Sequence, residues 1–492
     1  MANTFENYIG GRWAPPKSDK HFQRENPANG ETIGSFPDSG PDDVADAVAA
    51  AAKAYPRWRA TPAPQRAEIL FRAAEMMLDR KEELSRDVTI EMGKVLKEAR
   101  GDVQEAIDMT YYAAGEGRRM FGQVVPSELP DRFTMAVRQP HGIVGAITPW
   151  NFPLAIPCWK LMPALIAGNT VVLKPSPYSP LSAANLLRIL EEAGLPPGVV
   201  NLLFGEDDTG AALVRDPRVA MVSFTGSIEV GREIAAYCGA NGKRVHLEMG
   251  GKNAIIVLGD ADIDLAIEGA VWSAFGTSGQ RCTAASRMIV QEGVLDAFTE
   301  KLIASAETLR LGDGLDEATD VGPLVNRPQL EKVQRYMEIG RKEGATVAVG
   351  GARAASDGLD KGYFFQPTVF TGVRPQMRIA QEEIFGPVTD VIPVSDLDEA
   401  VSINNDVPYG LVSSIYTRDV NVAFKAMEQI TTGIVYINAG TIGAEIHLPF
   451  GGTRGTGNGH REAGTAALDS YSEWKSVYID YSGRLQKAQI DR

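Results

Sequence analysis

Cys282 lies in a segment of small and polar residues, 279–284, between a predicted helix and a predicted strand. The polar neighbours and the adjacent cation of Arg281 favour an accessible thiolate, which is the nucleophilic form of cysteine. A nucleophile in such a loop indicates covalent catalysis. The alternative is a structural role, because most cysteines are small buried hydrophobic residues, and Cys158 and Cys238 stand in apolar helical contexts of that kind.

Two further polar side chains could assist a nucleophile. Glu248 ends a predicted strand just before two glycines, where a carboxylate is often a general base or a ligand contact. An ordinary exposed carboxylate is the alternative. Asn151 lies in the proline-framed loop 149–153, where its amide could donate a hydrogen bond to an oxyanion or could cap a turn.

Two predicted strand ends could bind a nucleotide. The segment 223–231 combines a strand, a glycine turn and the start of a helix, so free backbone N–H groups and the helix dipole would face an anion. Gly231 would permit close packing of that helix on the sheet. Lys174 ends another strand, and strand carboxyl ends in open α/β sheets face the ligand crevice. The alternatives are an ordinary capped turn and a surface lysine, and the nearest match to GxGxxG, residues 455–460, has histidine at the third glycine.

The elements that must position these residues alternate between helix and strand. Residues 40–120 have the three- and four-residue apolar spacing of helices. From residue 142, short strands and helices alternate, which is typical of an open parallel sheet covered on both faces, and a second α/β run follows over 263–435. Residues 471–481 form an aromatic-rich predicted strand without an obvious local partner. The fold class is therefore predicted to be α/β.

Composition excludes several classes of function. The 492 residues include 49 Lys+Arg and 63 Asp+Glu, a net charge of −14, without a basic stripe for nucleic acid or an anionic membrane. The three cysteines suit neither a disulfide framework nor a zinc site. The N-terminus does not resemble a secretory signal, and prolines interrupt the most apolar stretch, residues 142–173. We expect a cytoplasmic protein with no metal, nucleic-acid or membrane partner.

Seven segments occur in the order and at the separations found in the NAD(P)-dependent aldehyde dehydrogenase superfamily. Together they make the chain resemble that superfamily over essentially its full length. The segments are PWNFP (149–153), KPS (174–176), FTGS (224–227), LEMGGK (247–252), GQRCTA (279–284), EEIFGP (382–387) and LPFGG (448–452).

The resemblance implies a Rossmann-like cofactor domain at 1–120 and 142–250. It also implies an α/β catalytic domain at 251–455 and a small β oligomerisation arm at 121–141 and 456–492. The aromatic strand would extend a partner subunit's sheet, which implies a homo-oligomer, either a dimer or a dimer of dimers (a homotetramer).

The same resemblance implies the roles of individual residues. Cys282 would add to the aldehyde to give a thiohemiacetal, while Asn151 and the backbone N–H of Cys282 hold the oxyanion. Hydride transfer to the nicotinamide would leave a thioester, and Glu248 would activate the water that hydrolyses it. The residues that match the family's cofactor contacts are Trp150, Lys174, Ser176, Pro177, Gly226, Ser227, Gly231, Glu383 and Phe385.

The prediction of NADP or NAD use depends on one departure from the family pattern. Many NAD-preferring members have a glutamate after KPS that binds the ribose hydroxyls and repels a 2′-phosphate, whereas this chain has Pro177. The loss of that repulsion predicts that NADP is accepted, and even preferred, with Lys174 as the phosphate partner. The alternative is that NAD still binds well through the other contacts.

The substrate pocket is predicted from four residues. Phe152, Trp159 and Phe450 match the family's aromatic funnel, which suits an apolar or mixed small-molecule aldehyde. Arg281 and the pair at 118–119 resemble arginines that bind the far carboxylate in relatives that oxidise semialdehydes. The alternative for these arginines is a surface or interface position.

Three other functions stay open from the sequence. A CoA-acylating semialdehyde dehydrogenase would pass the thioester to CoA, and such relatives typically lack the glutamate that Glu248 matches. A cysteine hydrolase without a redox cofactor would need a base for Cys282, and the five histidines form no recognisable dyad motif. A non-catalytic member that serves as a binding or structural protein would not need Cys282, Glu248 and Asn151 together. The sequence therefore favours NAD(P)-dependent oxidation of an aldehyde to the carboxylic acid.

Overall fold

The structure is a computed structural model that describes residues 3–356 and 358–490. The strands are β1 (Asn3–Thr4), β2 (Asn7–Ile9), β3 (Arg12–Ala14), β4 (His21–Glu25), β5 (Thr32–Pro37), β6 (Gln123–Val125), β7 (Arg132–Pro140), β8 (Ile143–Ile147), β9 (Thr170–Lys174), β10 (Val200–Leu202), β11 (Val219–Gly226), β12 (Arg244–Met249), β13 (Asn253–Val257), β14 (Ala285–Gln291), β15 (Thr346–Val349), β16 (Thr368–Thr371), β17 (Val388–Val394), β18 (Val412–Tyr416), β19 (Ile434–Ile437) and β20 (Ser472–Asp480).

The helices alternate with these strands over much of the chain. They are α1 (Pro41–Ala60), α2 (Ala63–Asp79), α3 (Lys81–Met92), α4 (Leu96–Glu116), α5 (Ala155–Ala167), α6 (Pro180–Glu192), α7 (Asp207–Arg215), α8 (Ile228–Ala240), α9 (Ile263–Phe275), α10 (Leu295–Thr308), α11 (Arg327–Glu343), α12 (Arg378–Gln381), α13 (Leu397–Asn405), α14 (Val420–Gln429) and α15 (Ala466–Tyr471).

Two seven-stranded sheets form the framework of the protein. The first has the order β12-β11-β8-β9-β10-β2-β3, and its five strands from β12 to β10 are parallel. The second has the order β15-β16-β17-β14-β13-β18-β19 and is parallel except for the pair β15–β16. This α/β architecture confirms the predicted fold class.

Local sequence explains why the central elements form. β9 has the sequence Thr-Val-Val-Leu-Lys and is buried along its whole length, as expected for a β-branched strand in the middle of a parallel sheet. α5 follows loop 149–153 and is buried on nearly every side, so it packs as a core helix. It ends at Gly168, whose φ of +99° is readily adopted by glycine.

The predicted aromatic strand does have a partner within the same chain. β20 pairs antiparallel with β7 along its whole length, from Ser472 opposite Pro140 to Asp480 opposite Arg132. The expectation of no local partner reflected only the sequence around β20, since β7 lies more than 300 residues earlier. In the sheet order β20-β7-β6, β20 is an edge strand.

The predicted domain boundaries remain a prediction, and their outermost positions, residues 1 and 492, lie outside the described residues. No helix in residues 3–356 and 358–490 is both long enough and apolar enough to cross a membrane.

Candidate active site

Four neighbouring parallel strands bring much of the predicted site to one edge of the first sheet. The order β12-β11-β8-β9 places their carboxyl ends side by side. Lys174 is the last residue of β9, Gly226 is the last of β11, and Glu248 is the second-last of β12. Loop 149–153 follows β8. In open α/β sheets, ligands bind at this edge.

A cavity of about 190 Å³ at this edge brings together five of the seven sequence motifs. Its lining residues are Pro149, Trp150, Asn151, Ile156, Thr225, Gly226, Ser227, Met249, Gly250, Cys282, Gln329, Lys332, Glu383 and Phe385. The predicted nucleophile, oxyanion donor and several predicted cofactor contacts therefore share one cavity. The predicted base Glu248 does not line it, and neither do Lys174, Ser176, Pro177 and Gly231.

The loop that carries Cys282 is held under backbone strain. Thr277 and Ser278 have φ values of 52° and 55°, which are unfavourable for residues with a side chain. The backbone N–H of Thr277 donates to both carboxylate oxygens of Glu98, at 2.8 and 2.9 Å. On the other side of the loop, Nδ2 of Asn253 donates to the carbonyl of Cys282 at 2.7 Å. These bonds fix the position of the thiol.

The thiol of Cys282 is partly accessible, but the structure does not favour its thiolate form. Burial raises the pKa of the Cys282 thiol to about 12, and the carboxylates of Glu383, Glu248 and Glu105 act in the same direction. Arg281 opposes them. The expectation that polar neighbours and Arg281 favour a thiolate is therefore wrong in this state of the protein, because burial and three carboxylates outweigh one arginine. A base must take the thiol proton when Cys282 attacks.

Asn151 and the backbone of Cys282 offer two hydrogen-bond donors beside the thiol. Nδ2 of the buried Asn151 donates to the carbonyl of Gln280 at 3.0 Å, which fixes the amide and uses one of its two protons. Within the described chain, no group accepts a hydrogen bond from the N–H of Cys282. One amide proton and one backbone N–H thus remain for an oxyanion.

Glu248 is a buried carboxylate without a hydrogen bond. Its side chain is nearly inaccessible, and neither oxygen has a partner among the residues that the structure describes. Burial raises the pKa of Glu248 well above its usual value, and Glu462 adds to this effect, while Lys160 and Arg461 oppose it. A carboxylate in this environment is a stronger base than an exposed one, as a general base requires.

A buried polar network lies next to Glu248 that sequence reasoning missed. Lys160 on α5 forms an ion pair with Glu462, and both side chains are buried. Nζ of Lys160 also donates to Oγ of Ser223 at 3.1 Å, and that hydroxyl lies 2.9 Å from the hydroxyl of Tyr471. Lys160 directly follows Trp159 in the sequence, but no sequence motif indicates that it would pair with Glu462.

Glu383 and Phe385 reach the cavity from the second sheet. Oε1 of Glu383 accepts a hydrogen bond from the N–H of Gly251 at 2.9 Å. A Cβ atom on Gly250 would lie 2.2 Å from this carboxylate, so the double glycine is required for the approach. Phe385 has a φ of 60°, and its carbonyl accepts from Nε2 of Gln329 at 2.7 Å. Gln329 and Lys332 on α11 were also missed, because no motif marks them.

The start of α8 has the features of an anion site. Oγ of Ser227 accepts a hydrogen bond from the N–H of Val230 and caps the helix. Gly231 lies against β12, where a Cβ atom would come 2.4 Å from the sulfur of Met249. The predicted close packing of this helix on the sheet is thus present, and the backbone N–H groups of the first turn point away from the helix body.

Lys174 lies at the carboxyl end of β9 and is buried, with Ser176 and Pro177 directly after it. Burial lowers the pKa of Lys174 to about 8, and the carboxylates of Glu206, Asp207 and Asp38 oppose that shift. The amino group of Lys174 therefore lies at this edge of the sheet, close to three carboxylates.

These residues fit a dinucleotide on structural grounds. Gly226 and Ser227 lead into a helix N-terminus, Lys174 supplies a cation at the strand edge, and the double glycine leaves room beside Glu383. Cys282 lines the same cavity as Gly226, Ser227 and Glu383. The residues that would hold a dinucleotide at this edge are Lys174, Gly226, Ser227, Glu383 and Phe385.

The predicted substrate residues form two groups. Trp159 and Phe450 pack edge to face, with ring centroids 5.0 Å apart, and Met109 of α4 packs in the same apolar cluster. Phe152 instead lies beneath two cations, with Nζ of Lys94 3.8 Å and the guanidinium carbon of Arg281 5.3 Å from its ring centroid.

The guanidinium of Arg281 is only partly engaged. Its Nε donates to Oγ1 of Thr277 at 2.8 Å, and one terminal nitrogen lies 3.4 Å from Oε1 of Glu98. A guanidinium has five N–H donors, so others are available. Residues 118 and 119 lie beyond the end of α4, where Arg119 bonds to Glu116 and both arginines are exposed. Neither the 190 Å³ cavity nor the cavity beside α4 is lined by these two arginines, or by the predicted substrate residues Phe152, Trp159, Arg281 and Phe450.

A second cavity, of about 750 Å³, lies between α4 and the loop 444–447. Its lining residues are Gly101, Gln104, Glu105, Asp108, Tyr111, Tyr112, Ala444, Glu445, Ile446 and His447. Glu105, which lines this cavity, also raises the pKa of the Cys282 thiol. The described residues contain no group of three or more His, Cys, Asp and Glu side chains that could hold a metal ion.

Comparison with known proteins gives a consistent result. Residues 13–477 match the profile described as "Aldehyde dehydrogenase family". The chain is 41% identical to the alpha-ketoglutaric semialdehyde dehydrogenase of Bacillus subtilis (strain 168), over 97% of this chain and 98% of that protein. It is 39% identical to the NADP(+) succinate-semialdehyde dehydrogenase of Escherichia coli (strain K12), over 96% and 97%.

A solved structure agrees with these matches. The crystal structure of betaine aldehyde dehydrogenase from Staphylococcus aureus in complex with NAD+ superposes with a TM-score of 0.95 at 34% identity, covering 98% of this chain and 95% of that one. The chain therefore belongs to the aldehyde dehydrogenase family and is an oxidoreductase that uses NAD or NADP to oxidise an aldehyde.

Proposed function

We propose that Cys282, Asn151 and Glu248 carry out the reaction in the roles predicted from the sequence. Cys282 attacks the aldehyde carbon, and its thiol proton passes to solvent water, because the thiol is partly accessible. The free proton of the Asn151 amide and the N–H of Cys282 stabilise the oxyanion of the thiohemiacetal. A dinucleotide bound in the crevice would supply the hydride acceptor, and loss of hydride from the adduct would leave a thioester on Cys282. Glu248 then takes a proton from the water that hydrolyses the thioester.

The observation that carries this proposal is the buried, unpaired carboxylate of Glu248 near the nucleophile. A carboxylate that only stabilised the fold would be expected to hold a hydrogen bond. Release of the acyl group to CoA would not need this base, so the geometry favours hydrolysis. The test is oxidation of aldehydes without added CoA, with Cys282→Ala as the inactive control. Turnover that requires CoA would refute the hydrolytic route.

We also infer that NADP is accepted together with NAD. Three features support this: Pro177 carries no charge to repel a 2′-phosphate, Lys174 supplies a cation, and a relative 39% identical is named for NADP(+). Glu206 and Asp207 near Lys174 favour the uncharged ribose of NAD, which argues for use of both cofactors. The ratio of kcat/KM for the two cofactors tests this inference.

For the substrate, we propose an aldehyde with a carboxylate at its far end. Arg281 adjoins the nucleophile, has N–H donors to spare and is held between the rings of Phe152 and Trp272. Two relatives described above are named for semialdehydes of this class. Comparing ω-carboxylate aldehydes with betaine aldehyde and neutral aldehydes tests the proposal. Loss of the preference for carboxylate in Arg281→Gln, with neutral aldehydes unaffected, would support it, and a preference for betaine aldehyde would refute it.

We propose a homo-oligomer, a dimer or a dimer of dimers, built through the β20 arm. β20 is an edge strand that exposes Tyr478 and Ile479, and β19 is an exposed edge of the second sheet. Addition of β20 to the β19 edge of a partner subunit would cover both edges. The division into cofactor domain, catalytic domain and arm follows the boundaries predicted above. Light scattering of the full chain tests the subunit number.

A further inference from the structure

His246 lies next to Glu248 on the same face of β12. The two residues are two positions apart in a strand, so their side chains point the same way. Nε2 of His246 is 3.8 Å from Oε1 of Glu248, which a small side-chain movement would shorten to a hydrogen bond. The ring of His246 is fully buried, and within the described chain neither ring nitrogen has a hydrogen-bond partner.

This arrangement leaves four buried polar atoms without partners, two nitrogens of His246 and two oxygens of Glu248. Buried polar side-chain atoms in folded proteins are usually hydrogen-bonded, and exceptions often mark functional sites. A histidine with a purely structural role would be expected to have hydrogen-bond partners for its ring nitrogens. The unpaired atoms are therefore available to hold or transfer a proton.

His460 connects this pair to the surface. Its ring centroid is 5.2 Å from that of His246, so the two rings are in contact, and its side chain is exposed. His246 thus bridges the buried carboxylate and a histidine in contact with solvent. The other ionisable groups that face this path are Lys160, Glu462, Arg461, Tyr471 and Arg244. Lys160 is already paired with Glu462.

The role proposed for Glu248 creates a need for such a path. Each hydrolysis leaves a proton on a buried carboxyl group, and this proton must leave before the next water can be activated. We propose that His246 and His460 conduct that proton from Glu248 to solvent. This inference rests on the proposed function of Glu248.

The transfer balances without any further reactant. In the tautomer with its proton on Nδ1, His246 accepts the proton of Glu248 on Nε2 and releases the Nδ1 proton toward His460 and water. Glu248 returns to the carboxylate, one proton appears in solution, and His246 is left neutral with its proton on Nε2. Rotation of the ring, or transfer of that proton from Nε2 to Nδ1 through water, restores the starting tautomer before the next turnover. Because burial and nearby cations lower the pKa of His246, uptake and release are expected to be concerted.

The test is stopped-flow measurement with a pH-indicator dye in parallel with the absorbance of the reduced cofactor. In His246→Ala, we expect an unchanged first burst of reduced cofactor, and proton release and steady-state turnover at least about 10-fold slower. Imidazole in the buffer should restore both rates. His460→Ala, at the surface, should show a smaller slowing, whereas the exposed His21→Ala on β4 serves as the unaffected control.

The outcomes separate this inference from the proposed function. Normal proton release in His246→Ala, or a slowing that imidazole does not relieve, would refute the proton path. Loss of the first burst in His246→Ala would also refute it, since that loss indicates a structural role. If Glu248→Gln itself turned over normally, the proposed role of Glu248 would fail instead.

Discussion

Substitution of Asn151 by alanine tests the oxyanion site. The amide donates one proton to the carbonyl of Gln280 at 3.0 Å, and its other proton is free beside Cys282. Removal of one such donor from a site that retains the second costs about 100- to 1,000-fold in kcat, or about 3 to 4 kcal/mol. The N–H of Cys282 is the donor that remains. We therefore expect Asn151→Ala to lose kcat in this range with little change in KM for the aldehyde.

Two controls separate this effect from a displaced loop. Asn151→Asp keeps the size of the side chain but places a negative charge beside the developing oxyanion, so its kcat should be lower than that of Asn151→Ala. The rate at which iodoacetamide modifies Cys282 without cofactor should match the parent in Asn151→Ala. A loss of less than about 5-fold in Asn151→Ala, with normal thiol reactivity, would refute the assignment of Asn151 as an oxyanion donor.

Three further predictions follow from other parts of the site. Pro177→Glu places a carboxylate where a 2′-phosphate would bind, so kcat/KM for NADP should fall at least about 10-fold relative to that for NAD, and an unchanged ratio would argue against this location for the adenosine ribose. Burial raises the pKa of Glu105 to about 8, so this carboxyl is mainly neutral at pH 7 and ionises above pH 8. KM for ω-carboxylate aldehydes should therefore rise above pH 8 in the parent but not in Glu105→Gln, with a neutral aldehyde as the control. Asn253→Ala frees the carbonyl of Cys282 and should lower kcat and thermal stability together, since about 1 to 3 kcal/mol is lost for each buried group left unpaired. Retention of both properties would show that Asn253 does not position the nucleophile loop.

The sequence was sufficient to predict the α/β fold and many, but not all, of the residues of the central cavity, since Gln329 and Lys332 were missed. Cys282 and Asn151 stand in loops at the ends of predicted elements, so their chemistry could be read from the residues, whereas Glu383 and Phe385 were identified only through the family resemblance. The family resemblance placed residues 121–141 and 456–492 in one arm, but the direct pairing of β20 with β7 could not be read from local patterns, because it joins segments more than 300 residues apart.

The raised pKa of the Cys282 thiol could not be predicted from the sequence either. Arg281 adjoins Cys282 in sequence and suggested a thiolate, whereas the carboxylates that raise the thiol pKa come from positions 105, 248 and 383. The contact of His246 with His460 likewise joins two sheet and loop segments that sequence alone cannot place side by side. Asn253 could have been identified as a candidate site residue from the sequence, since it directly follows the LEMGGK motif at the start of β13.

The most direct test of the account is a pre-steady-state measurement on Glu248→Gln. With saturating aldehyde and cofactor and no CoA, this variant should form about one reduced cofactor per active site and then turn over at least about 100-fold more slowly than the parent. Cys282→Ala should form none. Steady turnover of Glu248→Gln at the rate of the parent would contradict the claim that this buried carboxylate activates the hydrolytic water.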